Sequence, residues 1–149
     1  MKQDKFSVVP LERLLRLILE QLKNGQYFGL DKDLFYTGSE PAIQSKRFGQ
    51  LLETPLGVAA GPHTQMAQNI IGAWLCGARF IELKTIQTLD ELDVSKPCID
   101  MYDEGYNCEW SQELKIKESF DQYLNAWIII HILTPPNLPE GEAFPPSGD

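Results

Sequence analysis

The chain has 149 residues, 43% of them hydrophobic and 23% charged, with a formal net charge of −8. That is long enough for one domain with a real core, and the composition is that of a globular protein rather than a disordered or fibrous one. The charge is spread without a basic stripe, which argues against nucleic acid as a partner.

The opening stretch "MKQDKFSVVPLERL" lacks the apolar core of a signal peptide, and no run is long enough to span a membrane, so a cytoplasmic protein without membrane contact is expected. Three cysteines, Cys76, Cys98 and Cys108, form no C-x-x-C pair. Reduced thiols are expected, and no zinc site, iron–sulfur cluster or other metal site can be read from them.

Leu11, Leu14, Leu15, Ile18, Leu19 and Leu22 recur at helical spacing and predict an amphipathic helix over 10–23, with Pro10 well placed at its first turn. "YFGLDKDLFYTGSEPAIQS" reads as loop, so residues 1–45 form an N-terminal helix and loop. "KRFGQLLETPLGVAA" then reads as two short extended pieces joined by a turn at Glu53, Thr54 and Pro55.

The stretch "PLGVAAGPHTQ" runs small at Gly57, Ala59, Ala60 and Gly61, then stops at Pro62. A strand end against which something flat must lie would be written this way. On this stretch alone, an ordinary tight turn is the simpler reading. Met66, Ile70, Ile71, Trp74 and Leu75 then mark a helix over 64–76, with Gly77 as its stop. "ARFIELKT" follows as a short buried strand. Residues 56–85 thus read as strand, helix and strand, a βαβ unit whose connection implies parallel pairing.

Along the second strand Phe80, Glu82 and Lys84 fall on one face, Ile81 and Leu83 on the other. Buried charges are expensive unless paired, so Glu82 and Lys84 are expected to offset each other. In a parallel barrel the carboxyl ends of strands carry the chemistry, and Lys84 stands at such an end.

An acidic, irregular loop, "IQTLDELDVSKPCIDMYDEGYNCEW", leads to a last helix expected from Trp110 or Ser111, with Phe120, Tyr123, Leu124, Trp127 and Ile128 as its buried stripe. The final sixteen residues hold five of the ten prolines. Residues 46–133 therefore read as βα units, and 134–149 as a disordered, proline-rich tail.

"TPLGVAAGPHTQMAQNI" followed by "GARFIELKTIQTLDELDVSKPCID" resembles the opening of the FMN-dependent dihydroorotate and dihydropyrimidine dehydrogenase superfamily. With "NCEWS", the pattern is most similar to the selenate reductase subunit branch. The resemblance covers roughly 10–133. It implies an α/β fold, the N-terminal part of an FMN-type (β/α)8 TIM barrel. It also implies a flavin-dependent oxidoreductase moving electrons through FMN, with iron–sulfur electron-transfer modules in full-length members.

By the same resemblance, Ala60 and Gly61 match the small residues whose backbone lies against the flavin. A planar ring approaches main chain closely only where side chains are minimal. Lys84 matches the lysine at the flavin's pyrimidine edge, where a cation stabilises negative charge on the reduced ring. A structural ion pair with Glu82 is compatible with that role. Thr85 matches a cofactor-contacting position at a strand end. Asn107 matches a substrate-binding asparagine, although an asparagine there is also an ordinary turn or cap residue. His63 is a loop histidine that would line the site, and Cys108 does not match the superfamily's catalytic base.

A complete barrel takes about 250 residues. This chain carries neither the catalytic-base loop nor the phosphate-holding loops of the superfamily. The expectation is an inactive, marginally stable N-terminal barrel fragment with no catalytic residue of its own. FMN binding would be weak or absent, and exposed strand edges would favour self-association or a redox partner subunit. The alternative is a truncated, non-catalytic α/β protein acting through partner binding. No G-x-G-x-x-G fingerprint for a nicotinamide cofactor is present.

Overall fold

The structure is a computed structural model that describes residues 7–38, 43–86, 99–100, 106–107 and 114–134. Helix α1 spans Leu11–Lys23, as its leucine spacing predicts. The carbonyl of Pro10 accepts from Leu14 N–H at 2.9 Å and so starts the helical ladder. Leu14 and Ile18 are wholly buried, whereas Leu19 is 43% exposed and lies off the packed face.

The segment read as loop contains a hairpin. Strands β1 (Gln26–Tyr27) and β2 (Leu30–Asp31) pair antiparallel across a Phe28–Gly29 turn, and a 3-10 turn, Lys32–Leu34, follows. A second hairpin, β3 (Ser45–Arg47) with β4 (Gln50–Leu52), turns at Phe48–Gly49. The expected two extended pieces are therefore three. Residues 53–56 link β4 to β5 (Gly57–Val58), and the tighter turn lies upstream, at Phe48.

Strand β5 pairs parallel with β6 (Phe80–Ile81), Gly57 opposite Phe80 and Val58 opposite Ile81. Two further bonds extend the ladder: Arg79 N–H to Leu56 O at 3.0 Å and Glu82 N–H to Val58 O at 2.8 Å. Between the strands, a 3-10 turn (Pro62–Gln65) leads into α2 (Ala67–Leu75), three residues later than the helix start expected from sequence. Gly77 ends α2 with φ +104°, a conformation that side chains resist. The βαβ reading is therefore correct, and its strands are parallel.

Strands β7 (Ile99–Asp100) and β8 (Tyr106–Asn107) form a short antiparallel pair inside the stretch read as irregular. Helix α3 spans Ile116–Leu133. It starts later than expected; Trp110 and Ser111 lie outside the described residues, as do Cys98, Cys108 and the tail from 135 onward.

The buried face of α3 is also different. Ser119, Gln122, Asn125, Ala126, Ile129 and Ile130 are buried, while Phe120, Leu124 and Trp127 are 59%, 40% and 43% exposed. The reason lies at the start of α2, whose first N–H groups lack partners within the helix. Gln122 Oε1 accepts from Ala67 N–H at 3.2 Å, and small Ser119 and Ala126 let the two helices approach. With that face inward, Phe120 and Trp127 point outward, while Tyr123 stays packed against the core.

Leu14, Ile18, Tyr27, Ala67, Ile70, Ile71, Ala126, Ile129 and Ile130 make one core between the three helices. Below the parallel pair, buried Arg79 forms an ion pair with Glu53 and donates to the carbonyls of Trp74 and Ala78 at 2.9 and 3.0 Å. Its guanidinium also lies over the Tyr36 ring, 5.1 Å from the centroid. Among the described residues the four two-stranded sheets do not close a barrel, and no helix is long and apolar enough to cross a membrane.

Candidate functional site

Parallel pairing sets the carboxyl ends of β5 and β6 side by side, and four of the expected site residues meet there. Ala60 and Gly61 follow β5; Lys84 and Thr85 follow β6. The fifth, Asn107, lies on β8 opposite Ile99, and its side chain is outside the described residues.

Glu82 and Lys84 do not pair. Glu82 Oε2 instead accepts the backbone N–H of Ala60 at 3.1 Å, which ties the end of β6 to the end of β5. A backbone N–H left over by the parallel ladder is the nearer partner, and it takes the carboxylate. Lys84 is 8% exposed, and among the described residues its ammonium makes no ion pair or hydrogen bond. The Lys84 main chain is fixed from outside, because Tyr123 on α3 donates its hydroxyl to Lys84 O at 3.0 Å. Burial raises the Tyr123 phenol above its ordinary pKa, so it remains a donor at neutral pH. Thr85 is exposed.

The small-residue segment is closed on itself. Gly61 N–H donates to Thr64 Oγ1 at 3.2 Å, and the same hydroxyl donates back to Gly61 O at 3.0 Å. Gly61 has φ −169°, extended backbone open to any residue, so it is not glycine for a turn's sake. What glycine provides is a bare face, and a flat ring already lies on it. A β-carbon at Gly61 would sit 2.7 Å from His63 Cε1. One at Gly57 would sit 1.9 Å from Phe80 Cε2. The strand end does accommodate planar groups against main chain, and in this structure they are the chain's own.

His63 therefore touches the site, but as a cover on Gly61. It also edges a separate groove of about 490 Å³ between the β1–β2 hairpin and α2, lined by Tyr27, Phe28, Leu30, Gly72 and Cys76. That groove does not include Lys84. Two contributors were not foreseen from sequence: Glu82 as the tie to Ala60, and Tyr123 as the clamp on Lys84. Tyr123 stood in the expected helix stripe, but its hydroxyl had no visible partner 39 residues away.

Residues 28–142 match the family described as "Oxidoreductase YgfK, N-terminal TIM-barrel domain". Two curated proteins named "Putative oxidoreductase YgfK", from Escherichia coli K12 and from Escherichia coli O157:H7, are each 47% identical over 131 residues. The match covers 87% of this chain and 13% of each relative's length. No solved structure matches the chain significantly. A parallel β5–α2–β6 unit agrees with that match, and the chain belongs to the family of the YgfK N-terminal TIM-barrel domain.

Proposed function

We propose that this chain forms the first part of a flavin-dependent oxidoreductase barrel, with FMN placed against the carboxyl ends of β5 and β6. The observation that carries the reading is Lys84, a residue 8% exposed whose ammonium has no ion pair among the described residues, at the paired strand ends that also carry the small residues Ala60 and Gly61. These residues fit the group. An ammonium with no ion pair among the described residues suits an electron-rich ring edge that gains negative charge on reduction. The glycine face suits the flat of a ring, provided the exposed His63 side chain swings away from Gly61.

Bound there, FMN would supply the electron-transfer chemistry. The chain's own residues hold and tune: Lys84 neutralises charge, Thr85 offers a hydroxyl, and Glu82 fixes the Ala60 amide. Asn107 is the proposed substrate contact, and electron-transfer partners of the full-length protein are proposed with it, as is selenate or another acceptor. Because the chain spans 13% of its relatives' length, activity is assigned to the longer protein and not to this segment alone.

The test is a fluorescence titration of FMN with the purified chain and with Lys84→Met, folding being checked by circular dichroism. Saturable quenching that weakens at least about tenfold in the variant supports the reading, that factor corresponding to loss of one charge-assisted contact. A folded chain that never quenches saturably, or a variant that quenches equally, rejects it.

A further inference from the structure

Past the last rung of the parallel ladder, Glu82 N–H to Val58 O at 2.8 Å, little holds the chain as it leaves β6. Of residues 83–86, Lys84 alone makes a hydrogen bond among the described residues, and it does so through its carbonyl. Lys84 is also the one buried member of 82–86; Glu82, Leu83, Thr85 and Ile86 are all exposed. Lysine is seldom buried without a partner, and an extended segment with exposed flanks gives no local reason for it.

The reason stands 39 residues away. Tyr123, on α3, packs against the core and donates its hydroxyl to Lys84 O at 3.0 Å. The two ends of that bond differ in firmness. Helix α3 has 18 residues and buries Ser119, Gln122, Asn125, Ala126, Ile129 and Ile130. The segment it reaches has no other hydrogen bond among the described residues. Tyr123 is thus the fixed post, and Lys84 is what it holds.

A bond to the carbonyl fixes the orientation of a rigid peptide plane. In extended chain successive side chains take opposite sides, so the peptide planes around Lys84 decide which side the lysine takes. Without the hydroxyl, residues 83–86 keep no bond that sets this choice, and the segment joins the loosely held part of the fold.

We propose that Tyr123 is a positioning residue for the flavin site: its bond to the Lys84 carbonyl holds the lysine in its buried place at the strand end before FMN arrives. Ordering done in advance need not be done on binding, so the bond raises affinity. Helix α3 thereby contributes to flavin binding through Lys84 rather than by contact with the ring. The inference rests on the flavin reading for its ligand, whereas the tether itself is present without one.

The test uses the full 149-residue chain and compares Tyr123→Phe, which removes only the hydroxyl, with Tyr27→Phe. The latter loses an equivalent bond, to Gln68 O at 2.8 Å, beside a groove that does not include Lys84. Without FMN, 15N relaxation should show the amides of 83–86 dropping from order parameters of about 0.85 to below about 0.6 in Tyr123→Phe, with β5 unchanged. With FMN, fluorescence titration should show binding about fivefold weaker in Tyr123→Phe, the factor for one ordinary hydrogen bond, and unchanged in Tyr27→Phe. Added to Lys84→Met, Tyr123→Phe should weaken binding no further, because the residue it positions is gone. A hydroxyl that served stability alone would weaken binding equally in both backgrounds. Order parameters at 83–86 that do not change overturn the proposal whatever FMN does. Where the unaltered chain binds FMN, equal binding by Tyr123→Phe, or an equal loss in Tyr27→Phe, overturns it and leaves the flavin reading standing. Where the amides loosen but the unaltered chain binds no FMN, the flavin reading falls and the positioning role falls with it.

Discussion

Replacing Arg79 by methionine should be the most damaging change outside the hydrophobic core. Arg79 is 6% exposed and holds the Glu53 carboxylate, itself 15% exposed at the side chain, together with the carbonyls of Trp74 and Ala78. It thereby fastens the β4–β5 link and the end of α2 to the start of β6. Methionine keeps the apolar stem and removes every donor. Breaking a buried ion pair from one side costs about 3–5 kcal/mol because the remaining charge is stranded. Glu53 keeps some access to water, so the lower figure, about 3 kcal/mol, applies. A globular domain has only about 5–15 kcal/mol in all. In urea unfolding followed by circular dichroism, with a slope of about 2 kcal/mol per molar, the midpoint should fall by about 1.5 M. Adding Glu53→Gln to Arg79→Met should recover about half of that loss, since the stranded charge is gone. A midpoint shift below about 0.3 M, or a double variant as unstable as the sum of the two singles, would refute the assignment of Arg79 as a structural anchor.

Three further outcomes follow from the same packing. Burial holds the Tyr27 phenol well above its ordinary value near 10, while in the unfolded chain it titrates near 10. The stability tied to the neutral phenol is fully present below about pH 10 and is lost as the pH climbs toward the folded value, because only the unfolded chain releases the proton easily. The fall in urea midpoint between about pH 9 and about pH 11 should be smaller in Tyr27→Phe than in the unaltered chain, and equal falls would contradict this. Tyr27→Phe should also lower stability at neutral pH by about 1 kcal/mol, from loss of the 2.8 Å bond to Gln68 O. On α3, Ile129→Ala should cost about 2–5 kcal/mol, whereas Phe120→Ala, from a side chain 59% exposed, should cost under about 1 kcal/mol. The reverse order in thermal melts would restore the helix face that the sequence pattern suggests.

Where local periodicity and local chemistry agree, the fold was legible. The leucines of α1 leave one choice of face. Gly77 sits where only a residue free of a β-carbon accepts φ +104°, so the end of α2 is visible in one letter. The parallel pairing of β5 with β6 follows from the helix between them.

The misreadings have two physical origins, atypical turn residues and partners distant in sequence. The hairpin turns carry phenylalanine where turn chemistry asks for asparagine, so neither announces itself. The α3 stripe was read from its aromatic side chains, but Gln122 answers an unpaired N–H at Ala67, 55 residues away, and turns the helix with it. Glu82 and Lys84 look like a pair along the strand until the Ala60 N–H, just past the neighbouring strand, takes the carboxylate. Ala60, Gly61, Lys84 and Thr85 were singled out by the resemblance, and the parallel pairing brings all four to the ends of β5 and β6. Tyr123 was not foreseen, because a hydroxyl bond to a backbone carbonyl leaves no mark in sequence.

The central claim is that the ends of β5 and β6 form the flavin-facing surface, and an amide chemical-shift titration of the 15N-labelled chain with FMN tests it most directly. The shifts should concentrate at Ala60, Gly61, Glu82, Lys84 and Thr85, with the His63 ring signals moving as the ring leaves Gly61. Lys84→Met should flatten that response while leaving the rest of the spectrum in place. Shifts confined to the groove lined by Tyr27, Gly72 and Cys76, or no saturable shift from a well-folded chain, would contradict it.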